Sequence, residues 1–261
     1  MTQQTAQADP QEGVGTTRRE RQREATYDEI VQVSRGLLAD GAEVSLRAVA
    51  GRMGMTAPAL YRYVANYQEL VDLVAFEIDK AATAGFVEAA SKMPEDDPAG
   101  RLICAAVAFR RWAHASPREF SLVFANPVTD GACVRRELIT SATSGHYFHA
   151  LLIDLWHRTH FEHPDPEDLD PAVRTALDDL LIPIDLDLVP EGHRGLLWLF
   201  MEAWATLYGV VTLEVFGHMD PRIIESGAMF TSKMRGWLPR LGMGEEIDRL
   251  DALLVSEVAR K

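Results

Sequence analysis

Between Val44 and Leu70 the chain reads VSLRAVAGRMGMTAPALYRYVANYQEL, an order of residues that few folds accommodate. Leu46, Val49, Ala50 and Met53 recur at i, i+3, i+4 and i+7, which predicts a one-faced helix of three turns at most, with Ser45 as its N-cap. Gly54 permits the positive φ of a sharp turn and Met55 turns back toward the core. Thr56 then caps a third helix, with Pro58 in its first turn, where a missing N–H is tolerated. Only Leu60 and Val64 of that helix read as core. Two such short helices cannot close a core alone. The first helix, over residues 17–39, supplies a wall through Tyr27, Ile30, Val31, Ser34, Leu37 and Leu38 and is stopped by Asp40-Gly41. A fourth helix starts at Asn66, with Glu69 at capping-box spacing.

The third helix leaves Thr56, Ala57, Ala59, Tyr61, Arg62 and Tyr63 facing outward, small at its N-terminal end and aromatic or basic further on. Such a profile suits a helix that enters the DNA major groove, where small side chains allow close approach while tyrosine hydroxyls and arginines reach phosphates. Charge placement agrees. Residues 44–66 hold three arginines and no acid, although the whole chain carries a net charge of −13. Residues 1–66 contain eight Lys+Arg and eight Asp+Glu, so the entire excess of negative charge falls after residue 66. A neutral head on an acidic body can still dock on phosphates. Arg18, Arg19, Arg21 and Arg23 lead into the first helix, and Arg47, Arg52 and Arg62 follow.

The run VSLRAVAGRMGMTAPALYRYVANYQELVDLV resembles the N-terminal DNA-binding domain of the TetR family of bacterial transcriptional regulators over about residues 20–75. The resemblance rests on Ser45-Leu46 before AVAGRMGM, on Thr56 through ALYRYV, and on ELVDLV opening a long fourth helix. It implies a homodimer with two such heads, an all-helical C-terminal body that binds a small effector, and release from a double-stranded DNA operator on effector binding. The DNA-binding set expected on these grounds is Arg18, Arg19, Ser45, Arg47, Thr56, Ala57, Pro58, Ala59, Tyr61, Arg62, Tyr63 and Tyr67. Tyr67 departs from the family, which often has Lys there, so a phenol stands where an ammonium would meet phosphate.

An all-α fold is expected, because helix formers dominate and alternating β-branched runs are absent. We divide the chain into a tail at 1–16, a helix-turn-helix domain at 17–66 and an effector-binding and dimerisation domain at 67–261. Body helices are predicted over 66–91, 98–115, 117–124, 130–161, 171–181, 192–217, 221–238 and 245–259, with HFEHPDPEDLDP as a surface loop. Aromatic and polar groups on otherwise apolar helices suggest an effector pocket: Phe109, Trp112, Phe120, Phe124, Tyr147, Trp198, Glu202 and Tyr208, with Phe148 and Trp156 beside them, and Glu202, as a buried carboxylate, either pairs with an Arg at the interface or binds a cationic or hydroxylated effector. In the 221–238 helix, Ile223, Gly227, Phe230, Met234 and Trp237 form a seam that, with Leu207 and Val210 of the preceding helix, is expected at a twofold interface.

Other chemistries are weaker. The histidines His146, His149, His157, His160 and His163 have i, i+3 spacings, but no cysteine is nearby and a solvated helix face accounts for them better than a metal. Ser144-Gly145-His146 lacks the strand-turn-helix frame of a nucleophile elbow. No catalytic residue, cofactor or metal is assigned. Cys104 and Cys133 form no motif, the N-terminus has no apolar signal region, and the apolar run at 195–217 is interrupted by Glu202 and Glu214, so a cytoplasmic protein without a membrane span is expected. The alternative is a helical small-molecule-binding or catalytic protein whose N-terminal hairpin mimics the motif, which would leave the acid-free run unexplained.

Overall fold

A computed structural model describes residues 17–125, 142–178 and 184–260. The expected tail at 1–16, the 130–141 part of one predicted helix, the 179–181 end of another and Cys133 lie outside the described residues. Helix is the regular structure throughout the described residues, with no strand. Four helices make the head: α1 Arg18–Ala39, α2 Leu46–Arg52, α3 Ala57–Leu60 and α4 Tyr67–Ala90. The body continues with α5 Pro98–Ala115, α6 Pro117–Phe124, α7 Thr143–Thr159, α8 Pro171–Asp178, α9 Gly195–Val215, α10 Pro221–Ser226, α11 Ala228–Trp237 and α12 Ile247–Ala259.

Local chemistry explains most of these boundaries. Thr17 and Glu20 form a reciprocal capping box on α1, and the Ser45 and Asn66 side chains accept from the backbone N–H of Ala48 and Glu69 to start α2 and α4. Glu69 does not close the box on Asn66. Its carboxylate accepts instead from the N–H of Ala65, one residue earlier. Gly54, at φ 67°, makes the turn between α2 and α3. Helix α7 stops at Thr159, before the predicted end at Phe161, because His160 turns into the left-handed region.

The predicted continuous helix over 221–238 is corrected. Gly227 adopts φ 64° and ends α10, and the chain restarts as α11 with Gly227 as its N-cap. A Cβ there would also stand 2.6 Å from a Val258 methyl carbon, so glycine is required for space as well as for φ.

Two apolar cores result. One gathers Ile30, Leu37, Val49, Leu60, Val64, Leu70, Val74 and Ile78 from α1 to α4. The other gathers Phe86, Ala90, Phe109, Phe120, Phe148, Leu155, Leu196, Phe200, Phe230 and Leu254 from α4 to α12. Helix α4 feeds both, and Trp112 packs against each. The two cores are tied by α6. Arg35 on α1 pairs with Glu119 at 2.7 Å, and Arg118 Nη1 donates to the Leu38 carbonyl at the end of α1.

Polar groups inside the body are few. Glu214, fully buried on α9, accepts from Arg110 Nε at 2.5 Å and from His114 Nε2 at 2.9 Å through the same oxygen, and Arg110 also donates to the Ile224 carbonyl. This triad ties α5, α9 and α10. Asp79, buried midway along α4, accepts from the Ser144 N–H of α7 at 3.1 Å. Burial raises the Asp79 carboxyl above the ordinary carboxylate range, with the Ser144 bonds opposing. His149 on α7 is wholly buried, edge-on to Phe200, with neither ring nitrogen hydrogen-bonded, and burial depresses it to about 4.

Glu214→Ala leaves Arg110 buried without its carboxylate and is expected to destabilise the protein by about 3–5 kcal/mol in denaturant unfolding, with Glu214→Gln costing less. The native His149 imidazole titrates at about 4 against 6.5 unfolded, so the unfolded chain takes up the proton first. Stability from this group is therefore whole above pH 6.5 and falls toward pH 4. Unfolding measured across that window is expected to show His149→Phe losing less stability than the parent, by up to roughly 3 kcal/mol.

Candidate nucleic-acid interface and body cavity

The outer surface of the head is made by α3 and the turns on either side of it. Helix α3 is a single four-residue turn with Pro58 in its first turn, followed by bonds from the N–H groups of Tyr63 and Val64 to the Leu60 carbonyl. Leu60, 1% exposed, anchors it to the head core and contributes about 2 kcal/mol by burial. Thr56 stands at the N-cap position, but its hydroxyl makes no capping bond, contrary to expectation, and is left exposed. Pro58, Tyr61, Arg62 and Tyr67 are exposed, with Tyr61 and Tyr67 about half open to solvent, and Ala57 and Ala59 are partly so. Arg47 is exposed on α2, and neither it nor Arg62 forms an ion pair among the described residues. Arg52 pairs with Asp40 at 2.7 Å. Arg18 and Arg19 are exposed in the first turn of α1. The hydroxyl oxygen of Ser45 is occupied by its cap.

Tyr63 does not face outward as expected. Its ring meets Tyr27 of α1 edge-on, with centroids 5.6 Å apart, and the Tyr27 hydroxyl donates to the Tyr63 carbonyl at 3.2 Å. Arg23 Nη2 donates to the same Tyr27 hydroxyl at 3.1 Å. A chain of contacts thus runs from α1 to the end of α3. Tyr27 reads from sequence as an ordinary core position, and nothing in its local pattern announces this role.

In the body, Phe109, Trp112, Phe120, Phe124 and Tyr208 do come together, in edge-on and tilted ring contacts with centroids 5.4 to 6.2 Å apart. The Tyr208 hydroxyl donates to the Phe124 carbonyl. Phe109 and Phe120 are completely buried, so this cluster is packed core. An open apolar cavity lies beside it, and its walls include Phe148 and Trp204, whose rings contact Phe109 of the cluster. Its other walls are Leu102 and Ala106 of α5, Leu152 of α7, Phe200, Ala203 and Leu207 of α9, Met234 and Trp237 of α11, and Leu241.

Several expected residues fall elsewhere. Tyr147 packs against the body core and its ring meets that of Phe148 but not the five clustered rings, and Trp198 joins neither cluster nor cavity. Glu202 is not the buried carboxylate of α9. It is partly exposed and paired with Arg240 at 2.9 Å, while Glu214 holds the buried position. Leu207, Val210, Phe230 and Trp237, expected at a twofold interface, are buried in their own chain, and Leu207, Met234 and Trp237 line the cavity. Gly227 is enclosed at the helix break and Ile223 alone of that set is an exposed side chain. The uncovered stripe of α9 carries Glu202, Ala205, Gly209, Leu213 and Phe216, with Leu213 and Phe216 at least 40% exposed. Helix α9 is long and apolar enough to cross a membrane, and less than half of it is buried in this chain. Of the histidines, His163 shares a 2.8 Å hydrogen bond with His193, a pairing that spacing along one helix does not reveal. Among the described residues no three His, Cys, Asp or Glu side chains are grouped to hold a metal.

Residues 102–236 match the family profile of the tetracyclin repressor-like C-terminal domain. The HTH-type transcriptional regulators Rv1816 of Mycobacterium tuberculosis and Mb1846 of Mycobacterium bovis are each 26% identical over 226 residues, covering 82% of this chain and 91% of their own. The crystal structure of SCO4313, described as a regulatory protein, shares the fold with a TM-score of 0.53 and 23% identity, covering 93% of this chain and 99% of that one.

Tyr63→Ala removes the ring that joins α3 to α1 and is expected to cost roughly 1–2 kcal/mol in unfolding by denaturant. Tyr61→Ala, at an exposed ring, is expected to stay within about 0.5 kcal/mol of the parent.

Proposed function

The chain belongs to the TetR family of bacterial transcriptional regulators, and from that membership we propose that it acts in the cytoplasm as a dimeric repressor released from its operator by a small molecule. The observation that carries the reading is the outer surface of the head: Thr56, Pro58, Tyr61, Arg62 and Tyr67 exposed, Arg47 of α2 exposed without an acidic partner among the described residues, and the core of α1 to α4 behind them. In this reading the N-terminal end of α3 enters the major groove. Ala57 and Ala59 meet base edges, while Thr56, Tyr61, Arg62, Arg47 and Tyr67 contact phosphates and Arg18 and Arg19 extend the contact along α1. Ser45 acts by capping α2 and Tyr63 by holding the end of α3 against Tyr27.

Dimerisation is assigned to the uncovered stripe of α9. Ala205 and Gly209, four residues apart, let a second helix approach closely, and a Cβ at Gly209 would meet nothing within 4 Å in this chain. Leu213 and Phe216 extend the apolar surface. This replaces Leu207, Val210, Phe230 and Trp237 as the interface. The cavity between α5, α7, α9 and α11 is the effector site. Its occupation would shift the balance between two head spacings through α4 and α6, of which one fits half-sites roughly 34–36 Å apart.

The relatives are named transcriptional regulators. Gel-shift titrations against the DNA upstream of the protein's own gene test the reading. Tyr61→Ala and Arg62→Ala are expected to weaken specific and random DNA alike, whereas Ala57→Ser or Ala59→Ser changes the preferred sequence. Equal losses on both DNAs for all four would contradict the assignment. Leu213→Glu is expected to give a monomer by ultracentrifugation at micromolar concentration, and an unchanged dimer would remove α9 from the interface.

A further inference from the structure

The effector cavity is lined by aliphatic and aromatic side chains alone, so the body of a ligand there must be apolar, and orientation must come from groups at its border. Two charged side chains adjoin its wall residues. Glu202 immediately precedes Ala203 on α9, Arg240 immediately precedes Leu241, and both Ala203 and Leu241 are wall residues. Arg240 Nη2 donates to Glu202 Oε2 at 2.9 Å, which bridges α9 to the turn after α11. The Arg240 guanidinium also lies 4.2 Å from the ring centroid of Trp237, a further wall residue. Both side chains of the pair are part-exposed, and the wall residues Ala203 and Met234 are themselves only partly covered.

The two partners are held differently. Stacking on Trp237 keeps Arg240 in place whatever Glu202 does. Among the described residues one hydrogen bond holds the Glu202 side chain, and exposed single-point pairs of this kind are weak. The planar guanidinium keeps donors that this bond does not use, and a carboxylate that engages two of them is bound better than Glu202 is.

We propose that the cavity takes an amphiphile with an apolar body and one carboxylate head, and that the head displaces Glu202 from Arg240. The inference rests on the reading of this cavity as the effector site and names the chemical class of effector. The exchange also has a consequence for regulation. The freed Glu202 shares the uncovered stripe of α9 with Gly209, Leu213 and Phe216, so ligand binding places an unpaired negative charge on the face assigned to the second copy.

Titrating full-length protein with decanoate, decanol and decylamine, followed by tryptophan fluorescence and thermal unfolding in the absence of DNA, tests the proposal. Trp204 and Trp237 in the cavity wall report occupancy. Decanoate is expected to bind about tenfold more tightly than the other two, Arg240→Gln to bring it down to the level of decanol, and Glu202→Gln to strengthen it. Leu207→Trp should abolish binding of all three by filling the cavity, with Ala203→Phe, at a partly exposed wall position, as the second filling variant should Leu207→Trp misfold. Equal or tighter binding of decylamine, an unchanged preference in Arg240→Gln, or no binding of any of the three overturns the proposal. Because the titration contains no DNA, that failure is separate from a failure of the gel-shift experiments, which bear on the head.

Discussion

Helix α4 belongs to two cores at once, and the rest of the molecule is arranged around that fact. Its first half contributes Leu70, Val74 and Ile78 to the head, and its second half contributes Ala82, Phe86 and Ala90 to the body. At 24 residues it spans about 36 Å without a break. A helix buried in both cores cannot tilt in one without disturbing the other, since close-packed interiors pass strain on rather than absorb it. Asp79 sits between the two halves and bonds to the first turn of α7, so the helix that also lines the cavity is fastened to α4 near the crossing point.

A second link runs through α6, where Arg35–Glu119 and Arg118 to the Leu38 carbonyl hold the end of α1, and where Trp112 packs against both cores. The head is therefore held from two sides, by α4 from within and by α6 from outside. This gives a cavity in the body a physical route to the head. The division of labour also makes sense of the charge distribution. The acidic body repels phosphate and the neutral head, with its arginines on the outer face, is the part that can approach it.

Much of the head was legible because its elements are short and punctuated. Thr17, Ser45 and Asn66 mark starts, Asp40-Gly41 and Gly54 mark stops, and the buried positions repeat at helical spacing between them. Pro98 and Pro117 announce α5 and α6 in the same way. The body was less legible where helices are apolar on every side. In α9 nothing local distinguishes the face that meets its own core from the face left uncovered, so Leu207 and Val210 were assigned outward and Glu202 inward, the reverse of their placement. Gly227 could equally allow close packing or a break, and it breaks the helix because Val258 and a left-handed φ both exclude a side chain. The aromatic cluster was found from residue type alone, but residue type cannot say which rings fill the core and which border a space. The contacts of Tyr27 with Tyr63 and of His193 with His163 are not legible because the partners are distant in sequence.

In the proposed function a protein of net charge −13 binds DNA through a head whose outer face carries exposed arginines. The most direct measurement is the dependence of operator affinity on salt, by fluorescence anisotropy with the unmodified protein. If two heads together neutralise roughly six to ten phosphates, affinity falls by about 10³- to 10⁵-fold between roughly 50 and 200 mM salt. A steep linear fall of log affinity with log salt is the predicted result. A flat dependence, or no retention at the lower salt concentration, would contradict the account.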